Sequence, residues 1–175
     1  IINELKEVYD KRFFGKGENN MRILAVSDTH GDLYSLRCAV RQQPKAEVVL
    51  HLGDGERELA ELKMEFADRM IVGVRGNCDW GSASPEKQEL ILEEKKIFLT
   101  HGHLYQAKMG LSTIIGAARE RKADILLFGH THTPYQAYED GLYILNPGSL
   151  SGADASYGIV DITPAGIVTD LRALR

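Results

Sequence analysis

The chain has 175 residues, 43% of them hydrophobic and 26% charged, with a net charge of -4 and a pI near 5.9. That length suits one domain with one substantial core, and the mix is that of a soluble globular protein, expected in the cytoplasm. It excludes a membrane span, since the longest apolar runs (23–26 and 125–128) are strand-sized, a disulfide framework, since Cys38 and Cys78 are the only cysteines, and any Lys/Arg-rich run able to grip an extended nucleic-acid track.

Residues 1–20 read differently from the rest. Leu5, Val8 and Tyr9 fall at helical spacing before Gly15 and Gly17 break the pattern. Lys16-Gly17-Glu18 can be encoded by a purine-rich stretch resembling a bacterial ribosome-binding site just ahead of Met21. Two expectations stay open: an upstream extension of a protein that naturally starts at Met21, or an N-terminal helix packed on a domain of 21–175. Beyond Met21 the pattern predicts strands over 22–27, 47–52 and 69–75, with helices over 32–43 and 56–67 between them. A hairpin follows over 90–92 and 96–100, turned at Glu94–Lys95, then a helix over 107–122 and a strand over 124–128. Short strands over 135–138, 142–145, 158–162 and 166–171 complete the chain. Alternation first and strands later imply an α/β layered domain with mixed sheets.

The polar residues fall at the ends of these strands. The first strand ends in Ser27-Asp28-Thr29-His30, the second in His51-Leu52-Gly53-Asp54 and the third in Gly76-Asn77-Cys78-Asp79. Thr100-His101-Gly102-His103 and Gly129-His130-Thr131-His132 end the next two, so all six histidines of the chain lie in these five loops. Each motif alone has a plain reading. Asp28 could cap the following helix, Gly53-Asp54 and Asn77 could be turn residues, and His101 and His103 could be surface residues. In open α/β sheets, however, ligands bind at the carboxyl ends of strands. Carboxylate, imidazole and amide donors suit Mn²⁺, Fe²⁺, Zn²⁺, Ni²⁺ or Mg²⁺ better than a thiolate-rich structural zinc site. Seven such donors (Asp28, His30, Asp54, Asn77, His101, His130 and His132) exceed what one ion needs, and divide between two ions that could clamp a phosphoryl group. Glycines 31, 53, 76, 102 and 129 beside them would let backbone and substrate approach closely.

The ordered set Asp-x-His, Gly-Asp, Gly-Asn-x-Asp, His-Gly-His and Gly-His-x-His resembles the calcineurin-like metallophosphoesterase superfamily. Gly-Asn-Cys-Asp, Leu-Thr-His-Gly-His-Leu and Asn146-Pro147-Gly148-Ser149 are similar to its small YfcE-like phosphodiesterase branch. The resemblance runs from Met21 to about Tyr157. It implies a four-layer αββα sandwich of two mixed sheets flanked by helices, and two divalent cations, Mn²⁺ foremost. By the same resemblance Asp28, His30 and His132 would hold one ion, Asn77, His101 and His130 the other, and Asp54 would bridge them. His101 is preferred to His103 because it directly follows its strand. His103, Cys78 and Asp79 are then the candidate catalytic groups: His103 as a phosphate contact, Asp79 as an acceptor orienting a neighbour. His51 is expected to be structural or to support the site from behind.

Cys78 stands where much of the superfamily has a histidine thought to contact phosphate and protonate the leaving group, although the small branch shares this Cys. A thiol is a weak hydrogen-bond donor with pKa ~8.5. The expected reaction is therefore hydrolysis of a small phosphodiester, with a fairly acidic leaving group, by a hydroxide activated between two cations. Alternatives are a phosphomonoesterase, a nuclease (for which no binding surface is evident) and a protein-interaction scaffold, the role of a retromer subunit of this fold. Specificity should lie in loops 78–85, 105–111 and 151–157; Trp80 and Tyr105 could stack a base, but are expected to cover the core edge. Exposed late strands suit a homodimer or higher oligomer.

Overall fold

The computed structural model describes residues 20–175, so both expectations for the N-terminal segment fall, apart from Asn20, outside the described residues. Period-two alternation decides which core each strand residue enters. In β1 (Met21–Val26), Met21, Ile23 and Ala25 point the same way as Val48 and Leu50 of β2 (Val48–His51). They meet Ile97 and Leu99 of β5 (Lys95–Thr100), Ile125 and Leu127 of β6 (Ile125–Leu127) and Leu145 of β8 (Leu142–Asn146). The intervening Leu24, Val26 and Val49 pack instead on Leu36, Ala39 and Val40 of α1 (Leu33–Gln42) and Leu62 of α2 (Glu56–Glu65). Phe98, Leu126 and Ile144 pack on Ile114, Ala117 and Ala118 of α3 (Ser112–Glu120). Strands buried on both faces explain the unbroken apolar runs, and each fully buried aliphatic side chain contributes roughly 1.5–3 kcal/mol. The result is helix, sheet, sheet, helix: the four-layer αββα sandwich that the motifs implied.

Both sheets are mixed. One has the order β10-β9-β1-β2-β3, with β3 (Met70–Gly73) parallel to β2 and β1, and β9 (Ser156–Thr163) antiparallel to β1 and to β10 (Gly166–Ala173). The other has the order β4-β5-β6-β8-β7, with β5, β6 and β8 parallel. Its edge strands β4 (Lys87–Leu92) and β7 (Tyr135–Glu139) are antiparallel to their neighbours. Among the described residues no helix is long and apolar enough to cross a membrane.

Three local readings of the sequence need correction. The β4–β5 hairpin turns at Glu93 (φ 45°) and Glu94 (φ 61°), one residue earlier than expected, and β4 begins at Lys87. Two positive φ values in the central pair match the right-handed twist of the flanking strands. The helix predicted over 107–122 starts only at Ser112, because Gly110 adopts φ 149° and interrupts it. Ala107 keeps its core position, ahead of that break, in turns that follow a short 3₁₀ helix at His103–Tyr105. Finally, α1 is capped by Asp32, whose carboxylate accepts from the Ser35 backbone N–H at 2.8 Å. Asp28 is thereby released from the helix-cap reading.

Candidate metal centre

The loops after β1, β2, β3, β5 and β6 converge at one edge shared by the two sheets. Asp28 Oδ1 lies 3.0 Å from His132 Nε2, 3.7 Å from His30 Nε2 and 3.9 Å from His101 Nε2. His30 Nε2 and His132 Nε2 are 3.2 Å apart. Asp54 Oδ2 lies 3.3 Å from His101 Nε2 and 4.0 Å from His30 Nε2, and Asn77 Oδ1 is 3.2 Å from His101 Nε2. The His130 ring stands beside this group, with its centroid 5.0 Å from that of His101. Of the His101-Gly102-His103 pair, His101 is the one facing both carboxylates. The His103 ring is 5.5 Å from His101 and 6.1 Å from His130, on the flank.

Asp28, Asp54 and His101 are held from behind, so that one atom of each faces its neighbours. Asp28 Oδ2 accepts from Ser27 Oγ (2.6 Å) and the His130 backbone N–H (3.0 Å), leaving Oδ1 fully buried with no hydrogen-bond partner. Asp54 Oδ1 accepts from the Cys78 backbone N–H at 2.7 Å, which leaves Oδ2 for the centre. His101 Nδ1 is 2.7 Å from the Leu52 carbonyl, which can only accept. That contact assigns the ring proton to Nδ1 and aims the Nε2 lone pair at Asp28, Asp54 and Asn77. Ring nitrogens crowded against carboxylate oxygens in this way form a cradle suited to a cation.

The backbone bears the cost of this convergence. Asp28 (φ 54°), His30 (φ 46°), Asp54 (φ 57°), His130 (φ 68°) and His132 (φ 60°) are all left-handed. An L-residue in that conformation costs roughly 1–2 kcal/mol, somewhat less for Asp and His, and such strain gathers at functional sites. Three glycines make the approach feasible. Gly53 has φ 101°, and a Cβ there would lie 2.7 Å from His101 Nδ1; a Cβ on Gly76 would lie 2.0 Å from Asp54 Oδ1. Gly129 likewise backs onto Ser27 Oγ and Asp28. Beside Gly31 there is open space, and at Gly102 only the Ala107 methyl approaches, so close packing is not the reason for glycine there.

The candidate catalytic groups separate in role. Asp79, expected to orient a neighbour, makes its contacts with the main chain. Its carboxylate accepts from the backbone N–H groups of Asp54 (2.8 Å), Gly55 (2.9 Å), Glu56 (3.0 Å) and Gly76 (2.7 Å). It thus caps the otherwise uncapped N-terminus of α2 and ties the Asp54 loop to the Asn77 loop. With both oxygens engaged, Asp79 positions the site and does not reach its interior. Cys78 is exposed, and its thiol falls within 4.8 Å of donor atoms of His30 and Asp54. His51 is buried behind the site: Nδ1 accepts from the Gly53 N–H at 3.2 Å and Nε2 lies 3.2 Å from Thr29 Oγ1.

Sequence reasoning used Asn146 and Ser149 as markers of the family and gave neither a place in the site. Asn146 Nδ2 donates to the Gly129 carbonyl and to Thr131 Oγ1, both at 2.9 Å, bracketing His130. Ser149 Oγ donates to the Asp28 carbonyl at 2.9 Å. The signal was available, because β8 runs parallel to β5 and β6 and ends in Asn146-Pro147-Gly148-Ser149 at the same edge.

Electrostatics follow the geometry. Burial pushes the Asp54 carboxyl up, but the His101 ring and the Cys78 N–H outweigh it and hold Asp54 well below the usual carboxylate range. Burial pushes His101 down, but Asp54 and Asp28 raise it overall. Burial, then the charges of His101 and Lys108, push His130 down to about 4. Burial and His101 lower His103 as well. Burial and the neighbouring Asp54 raise the Cys78 thiol, which stays protonated at neutral pH. Two groups that share Asp28, Asp28/His30/His132 and Asp28/Asp54/His101, each bring donor atoms within 4.8 Å of one another, and the orphaned Asp28 Oδ1 faces histidines of both. The residues present therefore fit divalent cations.

A profile of the calcineurin-like phosphoesterase superfamily domain matches residues 21–164. The chain belongs to this superfamily. Within it, the chain is 35% identical over 133 residues to YsnB of Bacillus subtilis, a probable metallophosphoesterase, covering 74% of this chain and 75% of the relative. It is 31% identical over 170 residues to the phosphodiesterase YfcE of Escherichia coli K12, covering 81% and 88%. A crystal structure of a predicted phosphoesterase from Streptococcus pneumoniae TIGR4 superposes with a TM-score of 0.77 at 31% identity, covering 90% of this chain and 91% of that one. These similarities join the chain to the small YfcE-like branch of the phosphoesterase superfamily.

Proposed function

We propose that this protein is a binuclear, metal-dependent phosphodiesterase that hydrolyses a small phosphodiester. The observation that carries the reading is the cluster of ligand-type atoms around the unpartnered Asp28 Oδ1: Asp54 Oδ2, Asn77 Oδ1 and the Nε2 atoms of His30, His101 and His132, in successive contacts of 3.0–4.0 Å. Asp28, His30 and His132 would hold one cation and Asn77, His101 and His130 the other, with Asp54 shared. Mixed oxygen and imidazole donors accept Mn²⁺ alongside Fe²⁺, Ni²⁺ and Zn²⁺, and the family resemblance puts Mn²⁺ first among them. Bound divalent cations supply Lewis-acid stabilisation of the phosphoryl charge and acidify water near neutral pH.

The remaining chemistry belongs to the chain. His103, neutral at pH 7, retains one ring N–H to donate to a phosphoryl oxygen. The protonated Cys78 thiol is a weak donor and a poor general acid. A leaving group that needs little protonation, such as that of an activated diester, is the better match. Purified protein loaded with Mn²⁺ is expected to hydrolyse bis(4-nitrophenyl) phosphate faster than 4-nitrophenyl phosphate, and to lose both activities in EDTA. No turnover of either with Mn²⁺, Ni²⁺, Zn²⁺ or Mg²⁺ would overturn the reading in favour of an interaction scaffold.

A further inference from the structure

Trp80 is the single tryptophan of the chain, and it is 92% exposed. It therefore does not cover the core edge as the sequence suggested. Tyr105 does: it packs against the α3 face of its sheet, edge-on to Phe98 at 6.1 Å. The Trp80 backbone is nevertheless firmly held. Its N–H donates to the Cys78 carbonyl at 3.0 Å, and the preceding Asp79 is fixed by four backbone donors. The Cys78 N–H in turn donates to Asp54, so Trp80 Cα lies within two Cα–Cα steps, at most about 7.6 Å, of a residue bonded to the shared carboxylate. Other exposed apolar side chains lie close in sequence to the site residues: Leu104 follows His103, Met109 follows shortly after, and Tyr34 stands in the first turn of α1 beyond His30.

We propose that Trp80 is a stacking platform for a planar ring carried by the phosphodiester, making the substrate class an ester of a nucleoside or an aryl alcohol. A large aromatic face, exposed among the described residues and carried on backbone anchored beside the candidate metal centre, matches how proteins hold bases without reading their edges. The proposal rests on the phosphodiesterase reading above, and its test separates the two.

Trp80 reports on itself, because all tryptophan emission comes from it. With Mn²⁺ present throughout, adenosine 5′-phosphate is expected to quench that emission saturably, whereas inorganic phosphate and ribose 5-phosphate leave it unchanged. In turnover, W80A is expected to lower kcat/KM at least 10-fold for thymidine 5′-(4-nitrophenyl phosphate) or for bis(4-nitrophenyl) phosphate, within the roughly 5- to 150-fold that stacking one base supplies. Loss with the first ester assigns a nucleobase, and loss with the second an aryl group. Methyl 4-nitrophenyl phosphate, which has the same leaving group, is expected to change less than 3-fold, and W80F should recover most of the loss. Equal effects on all three esters, or emission indifferent to the base, overturn the platform while leaving the phosphodiesterase reading intact. So does an emission shift that follows protein concentration, which would assign the ring to self-association. If the wild-type protein hydrolyses none of the three, both readings fall.

Discussion

Gly76→Ala isolates the close approach on which the centre depends. A Cβ at position 76 would lie 2.0 Å from Asp54 Oδ1, 2.6 Å from Asp54 N and 2.7 Å from Asp54 Cγ. Real Cβ contacts essentially never fall under 3.0 Å, so Asp54 must move by at least 1.0 Å. Rotating its side chain is not enough, because the backbone nitrogen is also too close. The move strains two bonds at once: the Asp54 N–H to Asp79 (2.8 Å) and the Cys78 N–H to Asp54 Oδ1 (2.7 Å). Overpacking of this kind costs about 1–3 kcal/mol, and weakening a charge-assisted hydrogen bond adds about 1–2 kcal/mol. A Tm lower by roughly 5–12 °C is expected for a domain of this size. A reacting geometry displaced by about 1 Å is expected to lower kcat/KM by about 10²-fold. The assay is bis(4-nitrophenyl) phosphate turnover with Mn²⁺, alongside scanning calorimetry and metal content by mass spectrometry. Gly116→Ala, helical with nothing within 4 Å of the new Cβ, is the control and should be neutral or slightly stabilising. If Gly76→Ala keeps activity within 3-fold and Tm within about 2 °C, the steric reasoning is wrong.

Asp79→Asn replaces one of two accepting oxygens by an NH₂ group that faces backbone donors. It is expected to lower stability by about 2–4 kcal/mol in urea denaturation, and a loss under 1 kcal/mol would argue against the four-donor account. Stripping the cations should lower Tm by roughly 5–11 °C for each site that was held at 100 times Kd, and a Tm insensitive to EDTA would count against a built site. For the metal-free protein, His130 titrates near 4, below its ordinary 6.5, and His51 and His103 are also lowered. The unfolded chain therefore binds protons first, and stability should fall as pH drops from 6.5 towards 4. His101, raised, opposes this by contributing stability below 6.5 that is lost as pH climbs through its folded pKa. Denaturation at pH 7.5, 6, 5 and 4 checks the net sign; stability that rises on acidification would refute it. Cys78→His should raise monoester turnover relative to diester by restoring a competent general acid, and an unchanged ratio would count against the weak-acid role of the thiol.

The centre was legible in the sequence because parallel strands carry their carboxyl ends to one edge, so Asp28, Asp54, Asn77, His101 and His132 could be grouped before any coordinates. What escaped depended on three-dimensional closure. Nothing local indicates that Asp79 caps a helix beginning 23 residues earlier at Glu56. Nor does local sequence show that Asn146 brackets His130. The late start of α3 was missed because Ala107 and Leu111 keep a helical apolar spacing across Gly110, and periodicity outweighed one glycine. The sandwich itself was only partly readable from pattern. An apolar run such as 23–26 shows that both faces of a strand are covered, but not whether by helix or by sheet.

The left-handed backbone at Asp28, His30, Asp54, His130 and His132 has a consequence for anyone engineering this scaffold. Glycine at any of the five would relax the main chain, so a search guided by thermal tolerance alone would drift towards variants that are sturdier and inert. Hardening the molecule should therefore begin at sites remote from this rim, such as the exposed face of α3, where durability and turnover do not compete for the same torsion angles.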